Sequence, residues 1–517
     1  MSTKLNNLGT SFQTHFYHTG DLSDIDSAIS SKQWGLKLTP EGHADLPAWL
    51  NNLGISFQSH FGSTSDVADI KSAISFQQRA IELTPEGHAD LPSWLNNLGT
   101  LFQSHFDCTG DLADIENAIS FQQKAIKLTP EGNAKMPLWL NSLGISFQSC
   151  FNHASNLADI ESAIFFQEKA VKLTPEGHAK MSSRLNNLGN LYASTNEPTA
   201  INQAVCIYSQ SATYITGHPL DCFYAAQKWA SLSYSFGISQ SIDAFHVAIR
   251  LLSQVVGLEQ TIYKRHNNIA GNQILDLVTF ATATAIQHNQ IETALVWLEQ
   301  GCCLVWKQLD QLCTPVNDLQ AHDPSLANHF LQIACDLDAS GFYETKSTVF
   351  SEVTIDQVIA DQDKRQTHVN LAQEWTKLLS EIHHIPGFEH FLQPPNISDL
   401  LSGLPLNGPV IIFNFHKDQC DAIALISSIK SPLHISLKNF SLQQAIQLHN
   451  DIHQYLTDHH VRQRGAHRET FHLNLQDSQE VTMSKVLQEL WVHVAKPILD
   501  ALNYLVCSIS VYKLYYY

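Results

Sequence analysis

A block of 45 residues returns along the first two-fifths of the chain, and this period limits the possible folds more than any other feature. LNNLGTSFQTHF begins at Leu5, LNNLGISFQSHF at Leu50, LNNLGTLFQSHF at Leu95, LNSLGISFQSCF at Leu140 and LNNLGNLYAS at Leu185. A second string returns in step: DLSDIDSAIS from Asp21, DVADIKSAIS from Asp66, DLADIENAIS from Asp111 and NLADIESAIF from Asn156. Each block closes on LTPEG, at Leu38, Leu83, Leu128 and Leu173. A short unit of this kind cannot bury its apolar face alone. Stacked neighbours bury a continuous core, so the expected architecture is a solenoid.

Each block reads as two helices. Leu50, Leu53, Gly54 and Phe57 recur at i, i+3, i+4 and i+7, one face of a first helix. Asp66 precedes a second periodic run, with Asp69 three residues on. A carboxylate there can accept from the orphan N–H groups of a helix start and favours the positive end of its dipole. Ala73, Ile74, Gln77, Ala80 and Ile81 continue that helix, and Thr84-Pro85-Glu86-Gly87 ends it, since proline cannot extend the ladder.

Leu50, Leu53, Gly54 and Phe57, followed by Ala73, Ala80 and Pro85, resemble the tetratricopeptide repeat, whose pattern is W-x2-L-G-x2-Y, A-x3-F and P over about 34 residues. The extra residues fall at turns and helix ends. The LNNLG string resembles the kinesin-light-chain class of these repeats. The resemblance implies an array whose first helices line a groove that binds a protein or peptide. Beside the apolar stripe run amides at one register: Asn6 and Gln13, Asn51 and Gln58, Asn96 and Gln103, Asn141 and Gln148. An amide both donates and accepts, so this ladder suits an extended backbone lying in the groove. The same amides could instead bond only between neighbouring repeats.

Other features narrow the function. With 30 Lys+Arg against 49 Asp+Glu the formal charge is −19, which argues against nucleic acid and anionic membrane surfaces as partners. No run of about 18 apolar residues suggests a membrane span, and MSTKLNNLGTSF has no signal-like apolar core. The 10 cysteines show no CxxC pair, which suits a reducing, cytoplasmic setting. His15, His60 and His105 share one repeat position with Cys150; His43, His88 and His178 share another with Asn133. Packed helices lie about 8–10 Å apart, too far to share one zinc ion with ligands about 2 Å from it, so no metal and no cofactor is expected. Cys335-Asp336 and Cys420-Asp421 read as buried thiols. GxxxxGK, GxGxxG, HExxH and GxSxG are absent.

Beyond Pro198 the period fades while helical patterning persists over 200–213, 220–234, 241–253, 267–287 and 291–312. After about Ser340 the pattern changes. Pro409-Val-Ile-Ile-Phe-Asn-Phe, Cys420–Ser427, Leu433–Leu437 and Leu505–Tyr512 read as strands, and Gln443–His459 and Lys485–Leu502 as helices. Gly387-Phe-Glu-His-Phe-Leu-x-Pro-Pro, Gly408-Pro-Val-Ile-Ile, Cys420-Asp-Ala and Val486-Leu-x-Glu-Leu-Trp-x-His-Val-x-Lys-Pro-Ile-Leu-Asp-Ala-Leu, in that order, resemble the approach to a CHAT domain. This is the caspase-like module found behind tetratricopeptide arrays in fungal proteins with such 45-residue repeats. Its peptidases pair a His before Gly with a Cys after Ser-Ala, and this chain has neither string, so no catalytic residue is carried over. The chain is expected to stop short of that catalytic region.

The expectation is therefore a mainly α chain. A tetratricopeptide-type helical-hairpin solenoid occupies 1–195, divergent hairpins continue it over 196–340, and a smaller, incomplete α/β, caspase-like region fills 341–517. The expected function is that of a protein- or peptide-binding scaffold without enzyme activity. The alternative is a CHAT cysteine peptidase whose catalytic half lies beyond this sequence.

Overall fold

The computed structural model describes residues 1–258, 271–309, 315–333, 377–389, 408–427, 431–458 and 483–502, with a few isolated positions between them. Each repeat is a helical hairpin: α1 (Ser2–Thr19) with α2 (Leu22–Lys37), α3 (Leu46–Thr64) with α4 (Val67–Glu82), α5 (Leu91–Thr109) with α6 (Leu112–Leu128), α7 (Met136–Ala154) with α8 (Leu157–Leu173), and α9 (Met181–Ser194) with α10 (Pro198–Ala212). The second helices start where the acidic strings place them. Asp21, Asp66, Asp111 and Asn156 each accept a backbone N–H two residues on, and Asp24, Asp69, Asp114 and Asp159 occupy the first turn. Pro at the first helical turn and a buried Trp open three of the first helices, at Pro47/Trp49, Pro92/Trp94 and Pro137/Trp139.

The leucine stripe is the core. Leu53, Leu98, Leu143 and Leu188 are buried; Leu98 clusters with Ile115 and Ala118 of its own hairpin, while Leu101 and Leu191 reach Ile70 and Ala73, and Ile160 and Ala163, of the hairpin before. A phenylalanine of the first helix stacks on one of the second in three hairpins, Phe57–Phe76, Phe102–Phe121 and Phe147–Phe166, with ring centroids 5.7 Å apart in each. The glycine of LNNLG sets how close the two helices come. A Cβ on Gly54, Gly99 or Gly144 would lie 2.8, 2.6 or 2.8 Å from the Cγ of Gln77, Gln122 or Gln167. The same position meets Lys32 in the first hairpin, through Gly9, and Tyr208 in the fifth, through Gly189. Each first helix also packs on the second helix of the hairpin before it, which turns separate hairpins into an array.

Contacts divide the chain into two compact units, Met1–Trp229 with Gln332–Thr376, and Ala230–Leu331 with Lys377–Tyr517. The boundary falls within α11 (Pro219–Ser235). The second unit holds α12 (Ser241–Leu258), α13 (Gly271–Gln287), α14 (Ile291–Leu309) and α15 (Pro315–His322). Its antiparallel sheet has the order β1 (Val410–Phe415), β2 (Cys420–Leu425), β3 (Leu433–Ser436). Ile412 pairs with Ile423, and Ala422 with Ile435. The three expected strands form, as a meander of neighbours.

One sheet face carries Phe413, Phe415, Cys420, Ala422, Ala424 and Ile435. They pack on α16 (Leu442–Asp458), α17 (Met483–Leu490) and α18 (Lys496–Ala501). The other face meets α13, where buried Asn414 donates to the Thr279 carbonyl at 3.2 Å. Residues 230–331 thus pack with the sheet-bearing segment inside one unit. Between α17 and α18 the helix widens to a π turn, Trp491–Ala495, just before Pro497. Proline has no N–H and its ring crowds the carbonyl four residues back, which accounts for the wider turn. The expected strand Leu505–Tyr512, and Cys335, lie outside the described residues.

The glycine contact gives a direct test. Gly99→Ala should cost about 1–3 kcal/mol through overpacking against Gln122 and the Ala118 carbonyl, which the added Cβ would meet at 2.6 and 2.9 Å. Combining it with Gln122→Ala should cost less than the two single changes added together, by about 0.5 kcal/mol or more. Circular dichroism melts of the four chains supply the comparison, and strict additivity would remove the glycine from this role.

Candidate partner-binding surface

The eight amides singled out in the sequence all lie on first helices. Asn6, Asn51 and Asn96 are buried, as is Gln13; Asn141, Gln58, Gln103 and Gln148 are half-buried. Their partners come largely from the next repeat. Asn51 Oδ1 accepts from the Asn97 amide at 3.5 Å, and Asn141 Oδ1 from the Asn187 amide at 3.0 Å. Gln13 Nε2 donates to Ser59 Oγ at 3.3 Å, and Gln103 Nε2 to Ser149 Oγ at 3.5 Å. These bonds run along the line of first helices and fix the register of one hairpin against the next.

Ser59, Ser104, Ser149 and Ser194 repeat at one register on α3, α5, α7 and α9 and are half-exposed, as are Gln58, Gln103 and Gln148 beside them; Asn52, Ser142 and Asn187 share another half-exposed register whose α5 member, Asn97, is buried, and Thr100 and Asn190 share a third. Several hydroxyls on this stripe spend their proton on the preceding turn: Thr100 Oγ1 donates to the Asn96 carbonyl at 3.1 Å, and Ser104 Oγ to the Thr100 carbonyl at 3.0 Å. Their lone pairs remain to accept. The stripe is neutral, hydrogen-bonding and repeated at the array's own period. Asn51 and Gln58, singled out in the sequence, lie one residue from Asn52 and Ser59; first helices are packed on several sides, so polar residues there need not face solvent.

Both histidine series have local explanations. His15, His60 and His105 donate through Nδ1 to Asp24, Asp69 and Asp114 at 2.6, 2.6 and 2.5 Å, tying the end of each first helix to the start of the second. His60 Nε2 also lies 3.4 Å from Asp26 of the preceding hairpin. Cys150 takes the fourth position, where burial, reinforced by the nearby charges of Asp159 and Glu116, pushes the thiol up to about 11. In the other series, Nδ1 of His43, His88 and His178 accepts the backbone N–H two residues on, at 3.2, 3.2 and 3.0 Å. Asn133 replaces histidine there because its Oδ1 accepts the Lys135 N–H in the same way, at 2.8 Å. Among the described residues no group of three His, Cys, Asp or Glu could hold a metal ion.

Cys420 is buried on β2. Burial and the adjacent Asp421 push its thiol up to about 11, and its Sγ donates to the His416 carbonyl at 3.9 Å. It is a protonated thiol, the less nucleophilic form. Asp421 is buried on the opposite sheet face, bonded by His434 Nε2 at 2.7 Å and Gln419 Nε2 at 2.8 Å. No described helix is long and apolar enough to cross a membrane.

No family model matches the chain, and no curated protein matches it significantly. Solved structures with some likeness are helical-repeat proteins. BtubC (BKLC) from P. vanneervenii is 16% identical over 50% of this chain and 92% of its own, with a TM-score of 0.33. A putative kinesin light chain with nearly identical TPR-like repeats, from Podospora anserina, is 10% identical over 41% of this chain and 98% of its own, with a TM-score of 0.32. Yeast Tom70 is 13% identical over 75% of this chain and 98% of its own, with a TM-score of 0.15. At such values no function carries across. The hairpins themselves, five in succession, define a tetratricopeptide-like helical array.

Two gaps remain in the amide line: Asn6 Oδ1 and Asn96 Oδ1 are buried without a hydrogen-bond partner, and opposite Asn96 it is Ser142 that stands where Asn97 and Asn187 serve the neighbouring seams. Ser142→Asn should supply the missing donor and stabilise the array by about 0.5–1.5 kcal/mol, read as a raised Tm. An unchanged or lowered Tm would show that the seam does not need that bond.

Proposed function

We propose that the array is a scaffold that holds a protein or peptide partner along its first helices. The observation carrying this reading is the half-exposed line of hydroxyls at Ser59, Ser104, Ser149 and Ser194, which recurs on α3, α5, α7 and α9 beside the amides Gln58, Gln103 and Gln148. Such a stripe offers bonds to an extended backbone with little demand on its side chains. Gln58, Gln103 and Gln148 extend it toward the ligand, while Asn6, Gln13, Asn51, Asn96 and Asn141 stand behind it as register-setting struts. The partner is a polypeptide and not nucleic acid, given a formal charge of −19. A cytoplasmic setting fits the free thiols of Cys108, Cys150, Cys206, Cys222 and Cys420.

For the sheet-bearing segment we propose an incomplete caspase-like region without a catalytic dyad. A second reading, a CHAT peptidase with its catalytic residues outside this sequence, is favoured by the placement of two resembling strings. Val-Ile-Ile-Phe forms β1, and Val486 to Leu502 forms helices packed on the same sheet. A transcript continuing past Tyr517 into His-Gly and Ser-Ala-Cys would select the second reading.

A photo-cross-linking amino acid separates the binding stripe from the rest of the array. Placed at Thr100, it should capture a polypeptide partner. Placed at Gln123, exposed on α6, it should not. Equal capture at both positions, or capture at Gln123 alone, would move the binding surface to the second helices.

A further inference from the structure

Two seams of the array share a buried polar setting but fill its centre differently. Between the first and second hairpins, buried Lys32 of α2 donates through Nζ to Gln13 Oε1 of α1 at 2.5 Å. The same Nζ donates to Ser56 Oγ and the Asn52 carbonyl of α3 at 2.8 and 3.3 Å. Two repeats on, between the third and fourth hairpins, the equivalent positions hold Gln122 for Lys32, Gln103 for Gln13, Ser146 for Ser56 and Ser142 for Asn52. The surroundings keep their orientation. Gln103 Nε2 donates to Asp107 and Ser149 at 3.2 and 3.5 Å, as Gln13 Nε2 does to the equivalent Tyr17 and Ser59 at 2.6 and 3.3 Å. Gln103 Oε1 is thereby turned inward, as Gln13 Oε1 is toward the lysine.

Glutamine is one heavy atom shorter than lysine, so it ends where the lysine still has its Nζ to place. Gln122 and Ser146 are both 0% exposed, and Gln122 Nε2, Gln122 Oε1 and Ser146 Oγ have no hydrogen-bond partner among the protein atoms. Leaving one such buried group unpaired costs about 1–3 kcal/mol. The group that would satisfy them must both donate and accept, because an amide N–H, an amide oxygen and a hydroxyl converge. The amide N–H opposes a bare cation, and the amide oxygen opposes an anion. The other two seams are built otherwise. Leu101 and Leu191, both 0% exposed, replace the hydroxyl opposite Gln77 and Gln167. Gln167 Nε2 donates to the Asn141 carbonyl at 3.1 Å; Gln77 is unpaired too, but has no hydroxyl across its seam.

We propose that the seam between the third and fourth hairpins is a binding site for one internal water, held by Gln122, Ser146 and Gln103 in the place that the Lys32 amine takes between the first and second. An amine nitrogen and a water oxygen are close in size, and a buried water typically makes about three hydrogen bonds. Gln122 Nε2 donates to the water, the water donates to Gln103 Oε1, and Ser146 Oγ can take either part. The site has a consequence at the surface. With Oε1 engaged below, Gln103 presents Nε2 beside Ser149 on the half-exposed line. The water thus fixes which end of that amide faces a partner, while its own binding does not depend on that line being the partner surface.

Magnetic relaxation dispersion of water 17O, run on the full chain, counts internal waters that stay long enough to tumble with the protein. Gln122→Lys carries the residue of the first seam into the third and should lower the count by about one. Lys32→Gln is the reverse exchange and should raise it by about one. Ser146→Leu copies Leu101 and Leu191 and should lower the count as Gln122→Lys does; it serves if Gln122→Lys fails to fold. Thermal melts give an independent reading. Gln122→Lys should keep a Tm close to that of the natural chain, because Gln103 Oε1 and Ser146 Oγ await the amine. Gln77→Lys, which meets Leu101 instead, should melt clearly earlier. A count that stays the same in Gln122→Lys and Ser146→Leu would overturn the proposal, as would an equal loss of Tm in the two lysine variants.

Discussion

The array depends on how closely each first helix approaches its partner, and that distance is set by an absent side chain. Gly54, Gly99 and Gly144 leave room for the Cγ of Gln77, Gln122 and Gln167 to cross the interface. Placed there, the glutamines are fully buried, and Leu98 packs with Ala118 of the second helix. A larger residue would push the helices apart and open the leucine core along the whole hairpin. Because the same contact recurs with each repeat, one geometric choice is copied from seam to seam.

Polar groups then do two separate jobs. At the hairpin ends, carboxylates and histidines close the chain: Asp66 caps α4, His60 reaches Asp69, and His88 holds the turn before α5. Along the first helices, Asn51 and Asn141 bond amides of the next repeat, and Gln13 and Gln103 bond its serines, which keeps the hairpins in register. Burying such groups is costly unless they are paired, so the pairing favours one stacking register over its alternatives. What remains half-exposed beside them is the stripe to which partner binding is assigned.

Much of this was legible in the sequence. The 45-residue return of LNNLG and DxxDI fixes the hairpins and their caps, and the apolar runs at Val410, Cys420 and Leu433 mark the strands. Periodicity identifies the face beside the core. It does not say whether that face meets solvent or another helix, so Asn51 reads the same as Asn52 until the neighbouring repeat is in place. Burial of Lys32 is hidden for a similar reason: only its departure from the glutamine of the later repeats signals it. The grouping of residues 230–331 with the sheet rests on contacts distant in sequence, such as Asn414 with Thr279, which no local pattern reports.

The central claim is that successive blocks are equivalent hairpins stacked by one constant operation. Pulsed electron paramagnetic resonance measures this most directly, with spin labels at exposed, repeat-equivalent positions of the second helices after exposed Cys108 and Cys206 are changed to Ser. The pairs Asp26→Cys with Glu116→Cys, and Lys71→Cys with Glu161→Cys, each span two repeats. Narrow distance distributions that coincide are the predicted result. Distributions that are broad or centred at different distances would contradict a regular array.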